Sequence, residues 1–183
     1  MNKVLINYWH NIANRYMPIK IEISKESDMI MYKLFKNSKN ILGVLIRGTD
    51  YIARKPKHHP IQPKPEIVIQ DIKKMNNKNK YNNIFLVTED DIIRKKFIKK
   101  LNKKVKYYKF KKNIGYNYKS KMLLSNNKII KGNMEFIKIY LINIVILSKC
   151  IDIITSRTSG SVGAFIISNG FRNIKIYYLG IYK

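Results

Sequence analysis

Five short runs of β-branched and aromatic residues constrain this chain more than any other feature. They are ILGVLI (41–46), IFLVT (84–88), VKYYKF (105–110), IDIIT (151–155) and IKIYYL (174–179). Each has polar ends, and each reads as a strand. Helical patterns separate most of them. PEIVIQDIKKM begins with Pro65 and Glu66, both favourable in a first helical turn, and brings Ile67, Ile69 or Gln70, and Ile72 near one face. DDIIRKKFIKKL repeats the scheme, with acids at its start and lysines at its end. NMEFIKIYLINIVILSK is the most apolar helix, and SGSVGAFIISNG closes on Asn169 and Gly170, a good helix stop. The order β, α, β, α, β, loop, α, β, α, β implies an α/β fold with a mostly parallel sheet covered by helices on both faces.

The length of 183 residues suits one domain and a short appendage. The division expected is an N-terminal helical segment, residues 1–38, and a sheet domain, residues 39–183. In the first part, NRYMPIKIEISKESDMIMYKLFKN carries a cap signal at Ser24 or Ser27 before an amphipathic helix ending near Phe35. That segment has the proportions of an extra helix on the sheet, or of the tail of a preceding domain. The stretch from Lys109 to Lys131, rich in Asn, Lys, Tyr and Gly, reads as a long loop.

In open parallel sheets ligands sit beyond the carboxyl ends of the strands, where loops converge and helix N-termini point outward. Three polar clusters fall there: RGTD (Arg47 to Asp50), TEDD (Thr88 to Asp91) and SRTSGSVG (Ser156 to Gly163). The third offers four hydroxyls, on Ser156, Thr158, Ser159 and Ser161, with Gly160 and Gly163 permitting close backbone approach. A cap needs only one hydroxyl, so four of them plus Arg157 at a helix start favour a bound phosphate. Neither a Walker loop nor a spaced dinucleotide glycine fingerprint is present. Arg47 either forks two hydrogen bonds onto a pyrophosphate or pairs with Asp50 or Glu89. Glu89, Asp90 and Asp91 suit the N-terminus of the next helix better than a metal. His58 and His59 lack the partners of a zinc site, so no metal is expected.

The net charge of +26 would draw nucleic acid, anionic lipid headgroups or phosphorylated substrates alike. Its lysines are mostly scattered among Asn and Ile, and no nucleic-acid-binding module is recognisable. Cys150 is the only cysteine, which leaves no disulfide framework and suggests a reducing compartment. The start, MNKVLINYWHNIANRYMP, has too short an apolar run for a signal peptide, and IYLINIVIL (139–147) falls far below the roughly 20 residues that span a bilayer. A cytoplasmic protein is expected, with peripheral contact at the inner face of an anionic membrane as a further expectation.

Taken together, GVLIRGTD…HPI, IFLVTEDD and LSKCIDIITSRTSGSVGAF resemble the three motifs shared by fucosyltransferases of the α1,6, nodulation-factor and protein-O-fucosyl type, and more closely bacterial polysaccharide-biosynthesis relatives of that group. The resemblance covers about residues 41–180. It implies a GT-B glycosyltransferase, whose two Rossmann-like domains include a C-terminal one that holds a nucleotide sugar; this chain would be chiefly that donor-binding half. It further implies metal-independent inverting transfer from GDP-fucose or another nucleotide sugar to a glycan acceptor, with no resident cofactor. By position, Arg47 falls on the arginine of the donor pyrophosphate and Asp50 on the acid supporting its loop. Glu89 and Asp90 fall on the paired acids of the second motif. Ser159 and Ser161, with the neighbouring Arg157, Thr158 and Gly160, fall on the phosphate loop. The position of the acid that reads guanine is Asn143, and that of the family's proposed base is Lys55, so Asp50 or a residue outside this chain would deprotonate the acceptor. A separate acceptor-binding domain is an expected partner. Two other readings are a truncated, inactive nucleotide-binding domain or partner subunit, and a basic nucleic-acid-binding protein.

Overall fold

A computed structural model of the chain describes residues 3–48, 51–52, 55–108 and 134–183. Five strands form one parallel sheet: β1 (Ile41–Leu45), β2 (Asn83–Val87), β3 (Val105–Lys106), β4 (Asp152–Ser156) and β5 (Asn173–Tyr177). Each begins within one residue of the run that predicted it. β3 is shorter than expected, and the expected loop over 109–131 lies outside the described residues. The helices are α1 (Lys3–Tyr16), α2 (Ile21–Phe35), α3 (Pro65–Asn79), α4 (Asp91–Leu101), α5 (Met134–Ser148) and α6 (Ser159–Ile167).

Strand order is β3-β2-β1-β4-β5. The chain therefore moves outward from β1 through β2 to β3, then crosses back to the other side of β1 to lay down β4 and β5. Leu45 pairs with Val87 on one side and Thr155 on the other. Between β1 and β4 the connections leave in opposite directions, which opens a crevice at the carboxyl ends of those two strands.

Both sheet faces are buried, so the strands read as continuous apolar runs. Leu42, Val44 and Ile46 point to a core shared with Val68 and Ile72 of α3 and Ile93 and Phe97 of α4. Ile41 and Leu45 point the other way, to a core with Ile23, Ile30 and Phe35 of α2, Ile142 and Ile146 of α5, and Ala164 and Phe165 of α6. Each fully buried side chain of this kind contributes about 1.5–3 kcal/mol.

The expected cap at Ser24 or Ser27 is not where α2 starts. The helix begins at Ile21 after Lys20, without a side-chain cap, and Ser27 lies buried inside it, donating to the Ile23 carbonyl at 2.7 Å. Ile23, Ser27 and Ile30 share the stripe that meets the core, and burying that stripe outweighs the local cap signal. Ahead of it, α1 packs against α6: Asn14 Nδ2 donates to His10 Nε2 (2.8 Å), and His10 Nδ1 donates to the Ile166 carbonyl (2.7 Å). Among the described residues no helix is long and apolar enough to cross a membrane.

At the opposite end of the sheet from the crevice, Asp152 is fully buried at the start of β4. It accepts from the Tyr81 hydroxyl, from Arg172 Nε (3.1 Å) and Nη2 (2.7 Å), and from Asn173 N (2.9 Å) and Nδ2 (3.1 Å). Burial alone would raise its pKa, but the donors from Arg172, Tyr81 and Asn173 prevail and hold the carboxyl below its ordinary value.

Candidate functional site

The loops after β1 and β4 flank the crevice, and the loop after β2 builds the first of them. Glu89 Oε1 accepts from the Gly48 backbone N–H at 2.8 Å and lies 3.3 Å from Arg47 Nε. Asp90 caps α4, its Oδ1 accepting from Ile92 N (2.8 Å) and Ile93 N (3.0 Å), while its own N–H donates to Thr88 Oγ1 at 3.2 Å. Gly48 has no Cβ for a reason: an added Cβ would stand 2.5 Å from both Asp90 Cβ and Oδ2. The paired acids thus hold the Arg47 loop down on the N-terminus of α4. Of the alternatives open for Arg47, an ion pair with Glu89 is present; Asp50 lies outside the described residues.

The Arg47 guanidinium also stacks over the Tyr51 ring, 4.9 Å from its centroid. Tyr51 meets His59 edge to face, with its hydroxyl 3.2 Å from Nδ1. Residues 58–62 are tied down in turn. His58 N donates to the Tyr182 carbonyl (2.9 Å), Ile61 N to that of Gly180 (3.0 Å), and Gln62 Oε1 accepts from Ser156 Oγ at 2.5 Å.

That last bond occupies the first of the four hydroxyls after β4. Two more form a capping box: Ser161 N donates to Thr158 Oγ1 (3.2 Å) and Thr158 N to Ser161 Oγ (2.9 Å), with the single Ser161 hydroxyl proton in reach of the Ser156 (2.8 Å) and Thr158 (2.7 Å) carbonyls. Ser159 is exposed at the first helical position. The first intrahelical bond joins Val162 N to Thr158 O, so the N–H groups of Ser159 and Gly160 have no acceptor within the helix. Those two donors, the Ser159 hydroxyl and the positive end of α6 are the groups of this loop whose chemistry suits an anion. Arg157 is exposed, with its guanidinium 5.8 Å from the Tyr178 ring centroid.

The close approach that Gly160 permits is to protein. A Cβ there would meet the Tyr140 hydroxyl at 2.7 Å, Ile144 at 3.1 Å and Leu45 at 3.2 Å, so this glycine seats the start of α6 on α5 and β1. Tyr140 is a site residue that sequence reasoning missed. Its hydroxyl lies against the first turn of α6 and within electrostatic reach of Arg47, Glu89 and Tyr51; burial raises its pKa, Arg47 opposes that shift, and Glu89 adds to it. Tyr51 and Gln62 were missed as well, because nothing in their local pattern marks them. Asn143 belongs to the interior of α5, 1% exposed, and donates from Nδ2 to the Ile139 carbonyl at 2.9 Å, because α5 is buried along most of its length.

No protein-family model matches the sequence, and no curated protein matches it. Solved structures do match the fold. Crystal structures of POFUT1, a GDP-fucose protein O-fucosyltransferase, align with TM-scores of 0.57 for a complex with GDP (7% identity, 92% of this chain and 51% of that one) and 0.54 for a complex with GDP-fucose (7% identity, 86% and 46%). A further GDP complex aligns at 0.57 with 9% identity, over 92% of this chain and 49% of that one. The chain thus spans about half the length of the structures it matches, and at such identity the likeness is one of fold: a five-stranded parallel sheet flanked by helices, as in a Rossmann-like half of a GT-B protein.

Proposed function

We propose that this chain is the donor-binding half of a fucosyltransferase-like glycosyltransferase, and that the donor diphosphate binds in the crevice between β1 and β4. One observation carries the reading: at the point where strand order reverses, the loop that carries Arg47 and a helix N-terminus whose Ser159 and Gly160 N–H groups have no intrahelical acceptor follow the adjacent parallel strands β1 and β4 at the same end of the sheet. Arg47, Ser159 and the α6 dipole would stabilise the departing diphosphate, which is where negative charge develops in glycosyl transfer. Glu89 and Asp90 act by building the loop that carries Arg47. Thr158 and Ser161 shape the helix start, and Arg157 stands beside it.

GDP-fucose is the proposed donor, since the matched structures are complexes with GDP or GDP-fucose. The transfer is assigned as inverting and metal-independent, to a glycan acceptor of surface polysaccharide synthesis, with Asp50 or a residue of a separate acceptor-binding domain as the base. Residues 1–38 would connect to that domain. The test is a thermal-shift and calorimetric screen of the chain against GDP, UDP, dTDP and CMP and their sugars. A guanosine ligand should raise the melting temperature, and Arg47→Ala should weaken binding at least about tenfold, the value of one charge-assisted contact. Binding that Arg47→Ala leaves unchanged refutes the site. Response to no nucleotide, with steeply salt-dependent binding to generic DNA or RNA, favours the nucleic-acid reading instead.

A further inference from the structure

We propose that the outward face of α1 is a membrane-docking surface whose partner is an anionic lipid bilayer, an inference that goes beyond donor binding and does not depend on it. Helix α1 has two apolar faces. Ile6, His10 and Ala13 lie toward α6, whereas Leu5, Tyr8, Trp9 and Tyr16, spaced as i, i+3, i+4 and i+11 with half-buried Ile12 between them, form a second stripe turned away from it. Leu5 is 54% exposed, Tyr8 58% and Tyr16 69%, and Val4 and Met17 extend the patch at either end. Trp and Tyr combine an apolar ring with a polar edge, the chemistry that suits the headgroup boundary of a bilayer.

Charge identifies the partner. The first 21 residues contain Lys3, Arg15 and Lys20 and no Asp or Glu. Arg15 sits at the margin of the stripe with its guanidinium 5.4 Å from the Tyr16 ring centroid. Behind this patch the whole chain carries +26, which attracts anionic lipid and repels a second copy of the same chain. An apolar stripe with a cation at its margin, on a helix that contains no acid, is what allows a helix to lie in the plane of an anionic membrane surface.

The chain contains one tryptophan, Trp9, within the stripe and 48% exposed, so its emission reports this surface alone. The full chain would be mixed with vesicles of phosphatidylcholine and phosphatidylglycerol at about two to one, and with vesicles of phosphatidylcholine only. Anionic vesicles should bind it, shift Trp9 emission to the blue, and quench that emission when the acyl chains are brominated. Leu5→Glu with Tyr8→Glu should weaken binding at least about tenfold. Lys95→Gln with Lys99→Gln on α4, which lowers the net charge by as much but away from the stripe, should retain the blue shift. Vesicle binding without a shift or quenching of Trp9 would overturn the proposal, since scattered lysines would then be the contact. Absence of binding would overturn it too, as would a concentration-dependent blue shift without vesicles, the mark of a second copy on the stripe. The quenching measurement on the unaltered chain decides the matter even where a variant fails to fold.

Discussion

Gly48→Ala should destabilise the protein, and it should do so through Asp90. The added Cβ would stand 2.5 Å from Asp90 Cβ and Oδ2 and 2.8 Å from Cγ, where carbons in contact need about 3.5–4.0 Å. Rotating the Asp90 side chain cannot relieve the clash, because the Asp90 Cβ is itself one of the atoms struck and is fixed by the α4 backbone. The Arg47 loop must therefore lift, which strains the 2.8 Å bond from Gly48 N to Glu89 and the Arg47–Glu89 pair, or α4 must shift. Overpacking of this kind costs about 1–3 kcal/mol. A weakened hydrogen bond to a charged acceptor adds about 1 kcal/mol more, so the expected loss is roughly 2–4 kcal/mol.

The control is Asp90→Gly, which removes the struck atoms and leaves a residue tolerated at a helix N-cap; it should cost less than about 1 kcal/mol. The double variant should then resemble Asp90→Gly alone, giving a coupling energy of about 2 kcal/mol or more. Urea unfolding of the four proteins by far-ultraviolet circular dichroism, with linear extrapolation, measures it. Additivity within about 0.5 kcal/mol would refute the argument that Asp90 is why position 48 is glycine.

Substitutions at Asp152 and at the start of α6 separate scaffold from site. Asp152→Ala would leave the buried Tyr81 hydroxyl and Asn173 N–H without their acceptor and should cost about 3–5 kcal/mol in urea unfolding. Because the folded pKa of Asp152 lies below its unfolded value, its contribution is present above about pH 4 and lost as pH falls through the folded value; an Asp152→Asn protein with an unchanged acid limb of stability would contradict this. At α6, Thr158→Ala should cost about 1 kcal/mol through loss of the capping box. Ser159→Asp should leave stability unchanged or slightly higher, since an acid suits a first helical turn. It should also abolish the calorimetric signal for nucleotide by placing a carboxylate where the phosphate is assigned, and retained wild-type affinity would remove Ser159 from the site.

Much of the fold was legible because a strand buried on both faces can hardly be written without a β-branched run. ILGVLI and IFLVT announced β1 and β2 to within a residue, and the acid-to-lysine gradient of DDIIRKKFIKKL announced α4. The Ser27 cap signal failed because a serine on a buried stripe can satisfy its hydroxyl on its own helix, at Ile23, so the same residue type serves two local structures. At the candidate site, the pattern of SRTSGSVG did not reveal how its hydroxyls and glycine are used within the protein. Thr158 and Ser161 satisfy each other, Ser156 satisfies Gln62, and Gly160 makes room for Tyr140.

By itself the sequence determined the five strands and the helices between them, though not α1, that the sheet is parallel and covered on both faces, and that polar clusters follow β1, β2 and β4. These are consequences of period and burial, which act over a few residues at a time. Only the tertiary structure decided that Glu89 would hold the Arg47 loop from 42 positions away, that Ser156 would bond Gln62, and that Tyr140 would lie against α6. Those pairings depend on the strand order β3-β2-β1-β4-β5, which carries distant loops to one end of the sheet. A hydrogen bond between loops exists only after the packing of both sheet faces has fixed where each strand ends.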